Sequence, residues 1–169
     1  MKAALIDASS AILLHKAALL DSVASAYKLM MTPAVFREVT VAGRNGAARF
    51  ESLCRSGRIE LTVEPGRSKL EDGLSGLGAG ERETLLFFAV GGADFVILDD
   101  RKGAACCRSR AIPHINALLC PKILRWSGRL DRYAYIRAFA YLLDQGRYSS
   151  HVVEFAIECR RSRLYDFLP

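Results

Sequence analysis

The sequence predicts an α/β domain, with a central, mostly parallel β-sheet of about four to five strands flanked by helices and further helices at the C-terminal end. Three observations carry this reading. Short apolar runs end abruptly in acids, ALI in Asp7 and VIL in Asp99 and Asp100. Between such runs the apolar residues recur with helical rather than alternating spacing. The chain has 169 residues, 51% hydrophobic and 25% charged, which suits one globular core; with neither an internal repeat nor a linker, residues 1–169 read as a single domain.

The elements follow in order. Residues 3–6 (AALI) form a first strand, and SSAILLHKAALLDSVASAY after it is helical, with Ser9 or Ser10 as N-cap. Tyr27 to Met31 give a second short strand. Thr32 and Pro33 then open a helix, with threonine as N-cap and proline in the first position, followed by AVFREVTVA, which contains Glu38. Gly43 and the Asn45-Gly46 pair break it before an amphipathic helix, AARFESLCRSG, and RIELTV (58–63) alternates as a strand does. Residues 64–80 read as a flexible, loop-like rim, with Pro65 and glycines at 66, 73, 76, 78 and 80. GERETLLFFAV begins a buried helix that Gly91-Gly92 ends, and FVIL (95–98) is an uninterrupted apolar strand. A helix over 102–110, a strand over 111–115 and helices near 116–127, 131–145 and 149–163 complete the chain.

Composition excludes several classes. The longest uncharged apolar run, Thr84 to Ala93, falls well short of the roughly 20 residues a membrane-spanning helix needs. Asp7, His15 and Lys16 interrupt what resembles a signal-peptide apolar region, so a cytoplasmic location is expected. Five cysteines (54, 106, 107, 120, 159) lack metal-binding spacing and read as reduced core thiols. The net charge of +6 is uneven: residues 1–84 carry 11 bases and 10 acids, residues 85–169 carry 13 and 8. A polyanion, RNA or DNA, is the partner this surplus suits, although a solubilising surface gives the same count.

In open α/β sheets ligands bind outside the carboxyl ends of the strands, where Asp7 and Asp99-Asp100 fall. Glu38 and Glu81 are the other acids set in apolar surroundings. Two like charges about 4 Å apart repel by roughly 4 kcal/mol at an effective dielectric of 20, and a divalent cation relieves that repulsion. All-oxygen donors suit Mg²⁺ or Mn²⁺, and histidines 15, 114 and 151 are too scattered for zinc. Such ions activate water and stabilise a leaving oxygen, which makes phosphodiester hydrolysis the fitting chemistry. Each acid also has a plain structural reading: Asp7 as the N-cap of the first helix, Glu81 as an acid at a helix N-terminus, Glu38 as the partner of a surface base.

Four segments in order, ALIDASSAILL, TPAVFREV, GAGERETLLFFA and VILDDRKGAACCRSRAI, resemble the PIN-domain ribonucleases of prokaryotic toxin–antitoxin pairs. The resemblance covers about residues 3–130, leaving 131–169 as a helical C-terminal extension. It implies a Mg²⁺- or Mn²⁺-dependent endoribonuclease whose catalytic, metal-holding acids are Asp7, Glu38, Glu81 and Asp100, with Ser9 as the small polar residue beside the first acid. Many such toxins have Thr or Ser two residues before the fourth acid; this chain has Leu98 there and Asp99 between, so either aspartate is open as the ligand, Asp100 aligning better. Glu83 suits the role less than Glu81, since residues two apart on a helix point about 200° apart.

Arg101, Lys102, Arg108 and Arg110 follow the fourth-strand acids and are the candidate RNA contacts, against the simpler reading of a solvated helix face. Arg160, Arg161 and Arg163 suit RNA or an acidic antitoxin. A small antitoxin partner is implied by the resemblance alone, and a homodimer stays open. The alternative function is a non-catalytic PIN-like module that binds RNA or protein. A phosphatase or receiver-type domain fits less well because Asp7 lacks a DxD spacing, and GLGAG (76–80) lacks the context of a nucleotide loop.

Overall fold

The structure, a computed structural model, describes residues 1–65 and 74–169. The part of the predicted rim that includes Gly66 and Gly73 lies outside the described residues. Five strands, β1 (Ala3–Ile6), β2 (Lys28–Met31), β3 (Glu60–Leu61), β4 (Phe95–Ile97) and β5 (His114–Ile115), form one sheet in the order β3-β2-β1-β4-β5. Every pairing is parallel, with Leu5 opposite Met30 on one side and Val96 on the other. The strand order reverses between β1 and β4, so the two acid-terminated runs are neighbours at the switch point, where α/β sheets open a crevice.

Alternation along these strands fills two cores. Ala4, Ile6, Leu29, Met31, Phe95 and Ile97 join one apolar cluster with the first and last helices, while Leu5, Met30, Val96 and Leu98 face Leu85, Leu86 and Cys107 on the other side. The helices are α1 (Ala8–Lys16), α2 (Leu20–Ala26), α3 (Pro33–Val39), α4 (Ala47–Arg55), α5 (Ala79–Ala89), α6 (Arg101–Ser109), α7 (Cys120–Trp126), α8 (Arg132–Gln145) and α9 (Ser150–Glu158). Thr32 caps α3 with Pro33 in its first turn, as the sequence predicts.

The structure corrects several boundaries. The first helical stretch is two helices, because Ala18 takes a left-handed φ of 56° that no helix continues through. Asp7, not Ser9 or Ser10, is the N-cap of α1. The third and fifth strands contract to two residues each. Residues 116–127 divide into a 3-10 turn (Ala117–Leu119) and α7, and the last helix gives way to a 3-10 segment (Arg161–Phe167). At Gly46, φ is +92° and an added Cβ would sit 2.6 Å from the His15 ring, so the Asn45-Gly46 break is sterically required.

Segments beyond α7 pack onto the sheet rather than trailing from it. Ala138, Leu142, Ala156 and Leu164 enter the larger core, the Tyr27 hydroxyl donates to the Phe167 carbonyl (2.5 Å), and Lys2 Nζ donates to the Leu168 carbonyl (2.8 Å). Lys122 is only 8% exposed and spends its ammonium on the C-terminal end of α9, donating to the carbonyls of Ala156 (2.5 Å), Ile157 (2.8 Å) and Cys159 (3.2 Å). A cation there satisfies orphan carbonyls and opposes the negative end of the helix dipole. Lys122→Met is expected to lose these charge-assisted bonds and cost about 2 kcal/mol, read as a lower denaturant midpoint. An unchanged midpoint would show that water replaces the ammonium.

All five cysteines are free. Burial pushes the Cys54 thiol up to about 11 and the Cys107 thiol to about 12, which leaves both protonated at neutral pH. Among the described residues no helix is long and apolar enough to cross a membrane.

Candidate functional site

Asp7 leaves the end of β1 with its amide still in the sheet ladder, donating to the Ile97 carbonyl (3.0 Å), and its side chain turns back onto the first turn of α1. It is 1% exposed. One carboxylate oxygen accepts the Ser10 amide (2.8 Å) and the other the Ser9 hydroxyl (2.6 Å). The capping role is therefore real. It does not exhaust the residue, since four bonds are the ordinary capacity of a carboxylate and two are used.

Ser10 joins this acid to a second one. Its hydroxyl donates to Asp99 Oδ2 (2.6 Å), and that oxygen also accepts the Ala117 amide (3.0 Å), while Asp99 Oδ1 accepts the Tyr148 hydroxyl (2.6 Å). Asp100 turns elsewhere: it is the N-cap of α6, accepting the Gly103 amide at 2.6 Å. A Cβ at Gly103 would stand 2.5 Å from Leu98 Cδ1, so any larger residue there requires that leucine to shift. Asp99, and not Asp100, thus shares a partner with Asp7.

The electrostatics follow from burial. The Asp7 carboxyl is raised to about 7, first by desolvation and then by the nearby Asp99 charge, with the bonds from Ser10 and Ser9 opposing. Asp99 is pushed up as well by burial, against the stabilising bonds from Ser10, Tyr148 and Ala117. The ion pairs among the described residues are Lys28 with Glu60 and Arg49 with Asp21, and neither Asp7 nor the half-buried Asp99 has a basic salt-bridge partner among them. Two hard-oxygen acids, one buried and one half-buried, with no compensating base among the described residues, are a donor set that fits Mg²⁺ or Mn²⁺.

The remaining acids lie on α3 and α5. Glu38 is exposed, with its carboxylate beside the backbone of Gly80, where a Cβ would stand 3.3 Å from Oε2. Glu81 is half-buried and folds back over Gly78 at the start of its own helix. Glu83, on the other side of that helix, reaches across to accept the Ala34 amide in the first turn of α3 (2.5 Å). Among the described residues no group of three His, Cys, Asp or Glu side chains is close enough to hold one metal ion. The structure joins Asp7 and Asp99 through Ser10, while the contacts recorded for Glu38, Glu81 and Asp100 are with Gly80, Gly78 and Gly103.

Of the basic residues, Arg101, Lys102 and Arg108 are exposed on α6 and Arg110 is half-buried just after it. Lys102 Nζ donates to the Gly76 carbonyl (3.3 Å), and a cleft of about 460 Å³ between that loop and α6 has Lys102, Arg110, Ser75 and Ser109 in its walls. Sequence reasoning missed the linking role of Ser10 and all of Tyr148. For Ser10 the adjacent serine pair after Asp7 was a signal; Tyr148 stands 49 positions from Asp99 with nothing in its neighbourhood to announce it.

A family model described as PIN domain matches residues 3–125. No curated protein and no solved structure matches the chain.

Proposed function

The chain belongs to the PIN-domain family, and from that premise we propose that it is a metal-dependent endoribonuclease, the toxin of a toxin–antitoxin pair, working in the cytoplasm. PIN domains are typically nucleases and usually bind Mg²⁺. The observation that carries the reading is the pair of aspartates at the switch point of the sheet, Asp7 buried and Asp99 half-buried, joined through Ser10 and with no basic salt-bridge partner among the described residues.

Asp7 would hold Mg²⁺ or Mn²⁺ with Asp99 beside it, and Glu38, Glu81 and Asp100 are the further acids assigned to the catalytic set. When bound, the ion supplies charge neutralisation and an activated water for attack on an RNA phosphodiester. The chain's own contribution begins with Ser9 and Ser10, whose donors fix both oxygens of Asp7. Burial of Asp7 and partial burial of Asp99 limit screening by bulk water, so the pair attracts a cation more strongly than surface carboxylates do. Lys102 and Arg110 on the cleft wall, with Arg101 and Arg108 on the same helix and its C-terminal end, offer cationic contacts for the phosphates flanking the scissile bond. A small antitoxin is the protein partner, the 131–169 extension belongs to the same domain as the rest, and a homodimer is compatible with this reading.

The test is direct. Purified protein incubated with labelled RNA is expected to cut it with Mg²⁺ or Mn²⁺ and to stop when EDTA is added. A second reading, a non-catalytic PIN-like module that binds RNA or protein, is favoured by the absence among the described residues of any three-acid metal group. RNA retention without cleavage, together with a flat Mn²⁺ titration, would establish that module in place of the nuclease.

A further inference from the structure

We propose that Tyr148, which lies beyond the part of the chain matched by the family model, is a positioning residue of the candidate active site, orienting Asp99 and, through Ser10, holding Asp7 ready for a divalent cation. The inference rests on the metal-dependent reading above. Tyr148 sits in the connection between α8 and α9, so its backbone is supplied by the C-terminal extension rather than by the sheet.

The geometry is a chain of contacts. The Tyr148 hydroxyl donates to Asp99 Oδ1 at 2.6 Å; the other oxygen of Asp99 accepts the Ser10 hydroxyl at 2.6 Å and the Ala117 amide at 3.0 Å; the Ser10 amide donates to Asp7 Oδ1 at 2.8 Å. Asp99 is thereby held from three sides: by the extension, by α1 and by the turn after β5. Removing the tyrosine hydroxyl leaves Oδ1 without a donor among the described residues and frees the carboxylate to rotate about the two bonds that remain. The Ser10 hydroxyl loses its fixed acceptor as a result, and the first turn of α1, which sets the direction of Asp7, loosens with it. Partners one contact removed from a metal ligand are typically worth 10–100-fold in metal affinity, because they fix the ligand before the ion arrives. A tyrosine that only satisfied a half-buried acid would change stability and leave affinity alone.

The experiment is Mn²⁺ binding to the full chain by calorimetry, with the electron paramagnetic resonance spectrum of bound Mn²⁺ and the melting temperature recorded for every variant. Tyr148→Phe is expected to weaken Mn²⁺ about 10-fold or more and to change the spectrum. Tyr133→Phe, at an 80% exposed position, should change neither. Ser10→Ala interrupts the same chain one contact nearer to Asp7 and tests it if the tyrosine variant does not fold. The double variant should bind no more weakly than the weaker single one. Unchanged affinity and spectrum in Tyr148→Phe, or full additivity in the double variant, overturns the positioning role while leaving the nuclease reading in place. A parental protein that takes up no Mn²⁺ overturns both, and the flat parental titration distinguishes that case.

Discussion

Asp7→Asn is expected to reduce metal-dependent RNA cleavage to below about 1% of the parental rate while raising the melting temperature at pH 8. The two effects come from one fact. Asp7 is 1% exposed and its carboxyl is raised to about 7, so at pH 8 the folded protein carries a buried charge that the unfolded chain would hold in water. A rise of about three pH units from the ordinary value corresponds to about 4 kcal/mol of destabilisation, and the asparagine removes it. Asparagine still caps a helix well, so the Ser10 amide keeps its acceptor and the Ser9 hydroxyl turns to accept instead of donate. The gain is on the order of 10 °C for a domain of this size. At pH 5, where the folded parent is itself protonated at this position, most of it should vanish. Thermal melts at both pH values beside a cleavage assay check the pair of effects. Undiminished cleavage would sink the site assignment, and a lower melting temperature at pH 8 would show that the ionised form is better compensated than its surroundings imply.

What was legible in the sequence was the position of acids along strands. A run such as ALI followed by aspartate places that aspartate at a strand's carboxyl end whatever the sheet order, and two such runs suffice to predict a shared crevice. Direction was not legible. Asp99 and Asp100 are the same residue type side by side, and the first turn of α6 separates them: it takes Asp100 as its cap and leaves Asp99 facing Ser10. Glu81 and Glu83 divide likewise, and the contact made across to α3 belongs to Glu83 because its side of the helix faces the Ala34 amide. Lys122 and Tyr148 were out of reach for another reason. Each makes its decisive contacts with residues 34 to 49 positions away, and neither periodicity nor capping signals extend over such distances. The break at Ala18 is a left-handed alanine, a conformation with no compositional mark.

Cation binding is expected to be linked to protons, with an affinity for Mn²⁺ that rises about 100-fold between pH 5 and pH 7 and levels off above that. The sign follows from Asp7. Its folded carboxyl is raised, so between about 4 and 7 the folded state holds more protons than the unfolded state, and stability without metal falls as pH rises through that window. The ion competes for the same oxygens, so below pH 7 each binding event must expel a proton and the apparent affinity changes about tenfold per pH unit. Metal and acid thus relieve the same buried charge by alternative means. Mn²⁺ should therefore raise the melting temperature more at pH 7.5 than at pH 5.5. Calorimetry in two buffers of different ionisation enthalpy counts the protons directly: at pH 6 Asp7 is expected to release close to one per ion, and Asp7→Asn is expected to release about one fewer than the parent. An affinity that stays level from pH 5 to pH 7 would exclude Asp7 as a ligand, because no ion can bind to a protonated carboxyl at this position without displacing its proton.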